Sequence, residues 1–157
     1  MHIENKIPTH NNLYAIIQSR RKYSELPAPI RVPIGSFEVN WIGPNWFVRL
    51  AVLALGFAGF KNWWGKEFIS DHQGMNLFIQ NHSPSFLKKF PMDISISNSN
   101  IDSFECIKIK YPPNAGFPWY IVIDEFRELD KDTLLGMSYV KFFPGMALPF
   151  LLVKNGF

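Results

Sequence analysis

The charged residues that follow the run WYIVI are the strongest candidates for chemistry in the chain. This run leads directly into Asp124, Glu125, Phe126, Arg127 and Glu128, so at least one of these charges must lie next to apolar surface. A carboxylate in such a place has its pKa raised by desolvation or lowered by an arginine partner. Either change suits it to proton transfer or to holding a polar group of a ligand. A structural ion pair at the end of the strand is the alternative.

Strand alternation separates these charges into two sets. If the segment is a β-strand, Asp124 lies on one face, and Glu125 and Arg127 lie on the other. Only a bulge would bring Asp124 and Arg127 together. Together with Tyr139 on the following predicted strand, Asp124 and Glu125 are the candidate catalytic residues, able to move a proton or to polarise a carbonyl group.

Aromatic residues around the helix-to-strand junction FKNWWGKEF suggest a ligand wall. The adjacent Trp63 and Trp64 can either plug a barrel end or line a pocket, and Gly65 permits a close approach of another backbone. The candidate ligand-binding residues lie in this junction, in the charged segment that follows WYIVI, or in the sequence next to that segment. They are Trp63, Trp64, Trp119, Tyr120, Phe126, Arg127 and Met137.

Recognisable cofactor and metal motifs are missing from the sequence. It contains no GxGxxG, Walker, HExxH, CxxC or GxSxG pattern, and its four histidines show no metal-ligand spacing. None of those histidines lies in the final strands, where a haem ligand would be expected in a small barrel. We therefore predict neither a metal site nor a cofactor.

Composition narrows the classes of protein further. The chain has 157 residues, 47% of them hydrophobic and 16% aromatic, which favours one domain spanning 1–157 that is built around an apolar core or cavity. The net charge of +3 is small and the basic residues are scattered, so no nucleic-acid partner is expected. A lone cysteine, Cys106, and a polar start predict a cytoplasmic protein.

Two helices are predicted near the beginning of the chain. Residues 8–24 form an amphipathic pattern that ends in basic residues. The run 46–60, WFVRLAVLALGFAGF, is apolar on almost every side but is shorter than the roughly 20 residues needed to cross a bilayer. A helix at 44–58 must therefore be covered or touch a surface. It could close a cavity, and residues 46–60 could contact a partner protein or the membrane surface.

The remainder of the chain reads as short strands separated by turn residues. The predicted strands are 34–41, 64–70, 75–80, 89–97, 104–111, 118–129, 133–142 and 147–154. Eight strands at this spacing predict an α+β, mainly β fold, with an antiparallel, lipocalin-like barrel or strongly curved sheet. The turn chemistry at Asp130 indicates a hairpin with a three-residue loop, which places Phe126 opposite Gly136 and Asp124 opposite Ser138.

Two runs of the sequence resemble a known family. The segments WWGKEF at 63–68 and DEFRELDKDTLLG at 124–136 are similar to the small bacterial and fungal proteins that carry GXWXG and DUF4334 segments. The resemblance covers about half of the chain. It implies a compact, lipocalin-like β-barrel without established chemistry, so it assigns no catalytic residue.

These observations support two functions that share one cavity. In the first, an aromatic-lined barrel binds a hydrophobic small molecule such as a fatty acid, a terpenoid or a polyketide. In the second, the chain is a cofactor-independent cyclase or isomerase of natural-product biosynthesis, which folds an apolar substrate and uses an acidic residue as proton donor or acceptor. The sequence features of the two are almost the same, so both stay open.

Overall fold

The computed structural model describes residues 12–156, which form eight strands, two α-helices and several short helical turns. Helix α1 covers Leu13–Glu25. Helix α2 covers Asn45–Leu55 and continues as a π turn over Gly56–Phe60. The strands are β1 (Gly35–Trp41), β2 (Trp63–Phe68), β3 (Gln73–Phe78), β4 (Leu87–Asn98), β5 (Glu105–Lys110), β6 (Val122–Asp130), β7 (Thr133–Val140) and β8 (Leu148–Lys154).

The strands close into a barrel in which each pairs antiparallel with its neighbour in sequence, and β8 returns to pair with β1. This confirms the predicted antiparallel, lipocalin-like barrel with an N-terminal helix and an apolar helix. A barrel of eight strands is just wide enough to be filled by side chains or to hold one small ligand. Which of the two occurs depends on the residues at each level of the interior.

The hairpin of β6 and β7 has the predicted register. Phe126 lies opposite Gly136, and Asp124 lies opposite Ser138. A Cβ atom on Gly136 would approach a ring carbon of Phe126 to 2.5 Å, so the ring requires a glycine there. The turn is shorter than expected, because the register shifts at Leu129 and leaves two residues between the strands.

The start of β6 differs from the prediction. The strand begins at Val122, because Trp119–Ile121 form a 3-10 turn instead of extended chain. Such a turn has three residues per repeat, so Trp119 joins the interior apolar cluster together with Val122 rather than lying on the opposite face. Tyr120, expected on the face of Val122, is 41% exposed.

Both faces of β6 are covered, as expected from the apolar residues on both faces at the start of this segment. One face meets the barrel interior, where rings pack edge to face: Phe37 against Phe68 at 5.4 Å and Phe126 against Phe150 at 5.4 Å between ring centroids. The other face belongs to an outer apolar layer that includes Tyr23 of α1. The side chain of Asn12 caps α1, and residues 8–11 of the predicted helix lie outside the described part.

Helix α2 lies across one end of the barrel. Gly59, with φ of 93°, ends the helical segment by adopting a backbone conformation that favours glycine. One side of this apolar stretch faces the barrel, and the other lies at the surface, where Leu50 and Leu53 are exposed. Within residues 12–156, neither helix has the length and apolar character needed to cross a bilayer.

Candidate functional site

A cavity of about 330 Å³ lies in the end of the barrel that α2 covers. Its walls are mainly apolar and aromatic, and they include Trp41, Leu55, Phe60, Trp63, Trp119 and Phe150. This volume is near the lower end of the range of about 300–1,000 Å³ that small-molecule sites show. The cavity therefore fits a compact apolar molecule.

Strand β2 contributes both an aromatic wall and a buried cation. The register with β3 shifts between Trp63 and Gly65, so Trp64 is an extra residue and Trp63 lines the cavity. Gly65 is required because a Cβ atom there would lie 1.9 Å from the carbonyl oxygen of Phe37 on β1. Lys66 follows, with a side chain that is 1% exposed.

Lys66 is the centre of a polar cluster at the inner end of the cavity. Its Nζ lies 2.7 Å from the hydroxyl oxygen of Tyr111, 3.1 Å from Oδ1 of Asn76 and 3.1 Å from Oδ2 of Asp124. These three acceptors use all three N–H donors of the ammonium group. Asn76 is held in turn, because its Nδ2 donates to the carbonyl of Phe90 at 2.9 Å.

The charge state of this cluster follows from its partners. Burial lowers the pKa of Lys66, but its electrostatic interactions and hydrogen bonds with Tyr111 and Asp124 outweigh this effect, so the pKa lies above its ordinary value. Burial raises the pKa of Tyr111 to about 12, although Lys66 acts in the opposite direction. At neutral pH Lys66 is therefore a cation and Tyr111 is a neutral phenol, and Lys66 lies at ion-pair distance from Asp124.

One oxygen of Asp124 is available to a ligand. Oδ2 contacts Lys66 and accepts from the Tyr111 hydroxyl at 3.4 Å, whereas Oδ1 has no hydrogen-bond partner among residues 12–156. Ser138, directly opposite Asp124 on β7, also lines the cavity. Directly opposed side chains on one face of a sheet start about 5 Å apart. The cavity thus presents a carboxylate oxygen and a neighbouring hydroxyl on an otherwise apolar wall.

Comparison with known proteins identifies the fold and goes no further. No family model and no curated protein matches the chain. Among solved structures it is similar to a crystal structure described as that of a protein from Thermomonospora curvata, with a TM-score of 0.66, 19% sequence identity, and coverage of 88% of this chain and 86% of that chain. Because one fold hosts many functions, this similarity assigns no activity. The resemblance to GXWXG and DUF4334 proteins stays a prediction.

The structure divides the predicted aromatic ligand residues. Trp63 and Trp119 line the cavity, and Phe126 lies in the packed interior. Trp64 packs instead on Phe86, with ring centroids 4.4 Å apart. Tyr120, which forms an edge contact with Phe117, is partly exposed at the barrel end.

Of the predicted catalytic residues, Asp124 alone faces the cavity. Glu125 lies on the opposite face of β6, beneath α1, where it accepts hydrogen bonds from the hydroxyls of Tyr23, Ser99 and Tyr139 and from the amide of Asn100. Burial, reinforced by Glu125, raises the pKa of Tyr23 and Tyr139 above their ordinary range. Met137 packs in the same outer layer. These groups form a closed network that fastens α1 to the barrel.

Arg127 is also part of that fastening. It is fully buried and donates two hydrogen bonds to Asp102 and one each to the carbonyls of Tyr23, Phe104 and Glu105. All five of its N–H donors are therefore used. The hydrogen bonds from Arg127 hold the pKa of Asp102 below its ordinary value, despite partial burial. The arginine joins α1, the β4–β5 loop and β6.

Four polar residues of the site were not among the candidates: Lys66, Asn76, Tyr111 and Ser138. For two of these residues, the strand alternation in the sequence indicates that the side chain points inward. Lys66 alternates with the inward Phe68, and Tyr111 continues the inward series of Ile107 and Ile109. Within residues 12–156, no three His, Cys, Asp or Glu side chains meet as a metal site would require.

Proposed function

We propose that the barrel binds a compact hydrophobic molecule that carries a hydroxyl group, such as a terpenoid or polyketide alcohol or phenol. The observation that supports this is the unpartnered Oδ1 of Asp124 at the edge of a cavity with apolar walls. A hydroxyl donor on a ligand could hydrogen-bond to this carboxylate oxygen, whereas a purely apolar ligand would cover it without supplying a hydrogen bond.

The polar cluster selects for a donor on the ligand. Lys66 already directs its three N–H groups at protein acceptors, so a ligand carbonyl would have to replace one of those bonds. The groups that remain are the Asp124 oxygen, which accepts, and the Ser138 hydroxyl, which can donate or accept. An alcohol or phenol can donate to Asp124 and accept from Ser138 at the same time.

Titration calorimetry with β-naphthol and its methyl ether tests this proposal. The two probes have nearly the same apolar surface, but only the phenol can donate a hydrogen bond. We expect β-naphthol to bind at least about tenfold more tightly, because hydrogen bonds to charged groups contribute about 1.5–3 kcal/mol. Equal affinities would show that Asp124 does not recognise a hydroxyl group.

Variants locate the binding. Asp124→Asn and Ser138→Ala should each reduce the preference for β-naphthol, and the same Asp-to-Asn change at exposed Asp93 on β4 should leave it unaltered. Ser138→Ala keeps the test decisive if Asp124→Asn folds poorly. If both site variants retained the full preference while folded, binding would have to occur elsewhere.

A cofactor-independent isomerase or cyclase is the second candidate function. It is favoured by the way Asp124 is held: Oδ2 is bound by Lys66 and Tyr111, and the residue lines the space where an apolar substrate would lie. A carboxylate fixed in this manner can take a proton from one carbon of a substrate and return it to another.

Conversion of a β,γ-unsaturated cyclic ketone to its conjugated isomer tests this activity, because the reaction moves one proton and needs no co-reactant. We expect conversion that is lost in Asp124→Asn and retained in Asp93→Asn. Absence of conversion by a protein that still binds β-naphthol would leave binding as the function and reject this candidate.

A further inference from the structure

The barrel end that carries α2 is apolar on its outer surface as well as in its cavity. In an antiparallel barrel alternate connections lie at the same end. The end that carries α2 therefore contains the β1–β2, β3–β4, β5–β6 and β7–β8 connections. Most of the exposed large apolar side chains of the described residues are found here, and the following are typical: Leu53, Phe57, Phe117, Phe142, Phe143 and Met146. Phe57 is 86% exposed.

The same four connections contain no carboxylate. Residues 42–62, 79–86, 111–121 and 141–147 include no Asp and no Glu. Water-exposed apolar patches of this extent usually mark an interaction site. The missing acidic residues show that this site would not repel an anionic partner.

The charged residues at this end are cations. Arg49, Lys61 and Lys141 are exposed in the connections. Each connection at the opposite end contains an aspartate, for example Asp71 and Asp102. The α2 end therefore combines exposed apolar side chains with cations, whereas two of the far-end aspartates, Asp102 and Asp132, are paired with Arg127 and Lys131.

We propose that the α2 end of the barrel docks on the surface of an anionic lipid bilayer. Exposed aromatic and aliphatic side chains on a cationic background suit the boundary between lipid headgroups and acyl chains. Each cation near an anionic surface strengthens binding about fivefold. The exposed apolar side chains stand on several connections around the barrel rim, which favours a broad bilayer surface over a single partner segment.

Docking would place a route to the cavity against the lipid. A groove of about 500 Å³ lies between the second half of α2 and the start of β2, and its lining includes Val52, Leu53 and Phe57. It shares the walls Trp41 and Trp63 with the inner cavity. An apolar ligand could pass from the bilayer through this groove. That last step rests on the proposed ligand binding, whereas docking itself does not.

Co-sedimentation with vesicles tests docking without any ligand. We expect the protein to bind vesicles of phosphatidylcholine mixed with phosphatidylglycerol several-fold more tightly than vesicles of phosphatidylcholine alone. Added salt should weaken the difference, because exposed charges are screened. A protein that sediments with neither vesicle contradicts docking, even if it binds β-naphthol in solution. Conversely, docking by a protein that fails to bind β-naphthol would reject only the ligand function.

Matched variants identify the docking face. Phe57→Glu should weaken binding at least about tenfold, because an aromatic side chain that docking would bury in the bilayer is lost and a negative charge is added. Phe104→Glu makes the same change at a side chain that is 68% exposed at the opposite end, and should have no effect. Lys141→Glu should weaken binding to the anionic vesicles only. Equal losses of vesicle affinity for Phe57→Glu and Phe104→Glu would overturn the proposal. So would a wild-type protein that binds no vesicles but forms a dimer that Phe57→Glu dissociates.

Discussion

Lys66 and Asp124 form an ion pair where an apolar pair would serve stability at least as well. Removing two charges from water costs several kcal/mol per ion, and the attraction between them recovers this only with good geometry and further hydrogen bonds. Tyr111 and Asn76 supply those bonds to Lys66. The Arg127–Asp102 pair has a structural explanation, because it fastens α1 and its arginine has no spare donor. The Lys66–Asp124 pair differs, because one oxygen of Asp124 has no hydrogen-bond partner among residues 12–156 and the residue lines the cavity.

A double-mutant cycle on this pair should show strong coupling. Lys66→Met or Asp124→Leu alone leaves a buried charge without its partner, so each should lower the free energy of unfolding by about 3–5 kcal/mol. The double variant should be much more stable than the sum of the two losses predicts. Urea unfolding monitored by tryptophan fluorescence measures all four proteins. Losses that add to within about 0.5 kcal/mol would show that the two charges do not depend on each other.

Regular alternation made the strands and the sides of β6 predictable. Asp124 and Phe126 lie inside, and Glu125 and Arg127 lie outside, as a period of two requires. The apolar residues at the start of β6 also predict that a helix covers its outer face, but they do not predict the hydrogen-bond network that α1 closes over Glu125. From the strand sequence alone, a charged side chain on the outer face is expected to be exposed to solvent. It is buried and hydrogen-bonded here because a helix distant in sequence packs over it.

Irregular elements limited the prediction of the site. The extra residue at Trp64 and the 3-10 turn at Trp119–Ile121 both interrupt the period of two, so they change which aromatic side chains face the cavity. Lys66 was not predicted to face the cavity, because a lysine between aromatic residues of a strand usually points to solvent. Its inward direction depends on Asn76 and Tyr111, which come from other strands.

Helix α2 is apolar all round, but its two sides have different surroundings. Its barrel side forms part of the cavity wall through Leu55, and the π turn that follows places Phe60 on Trp119 with ring centroids 3.9 Å apart. The indole of Trp119 also donates to the carbonyl of Ala58 at 2.8 Å. The opposite side is exposed at the docking face. Composition alone could not separate the two sides.

At the scale of the whole molecule, the barrel interior consists of two parts. Toward the β6–β7 turn it is filled by side chains such as Phe37, Phe68 and Leu134, and toward α2 it contains the cavity. The cluster around Lys66 lies between the two. Filled interiors contribute stability in proportion to the apolar surface they bury. A cavity contributes less, so its residues can change with less effect on folding.

Paired substitutions in the two parts should therefore separate stability from binding. Leu134→Ala removes buried methyl groups from the filled part and should lower the free energy of unfolding by about 2–5 kcal/mol. The protein that remains folded should bind β-naphthol with unchanged affinity, because the cavity lies elsewhere.

Val122→Phe adds a ring at the cavity wall, where space is available. It should lower β-naphthol affinity at least about tenfold while changing the free energy of unfolding by less than about 1.5 kcal/mol. The opposite pattern, with binding lost in folded Leu134→Ala and kept in Val122→Phe, would place the ligand outside this cavity.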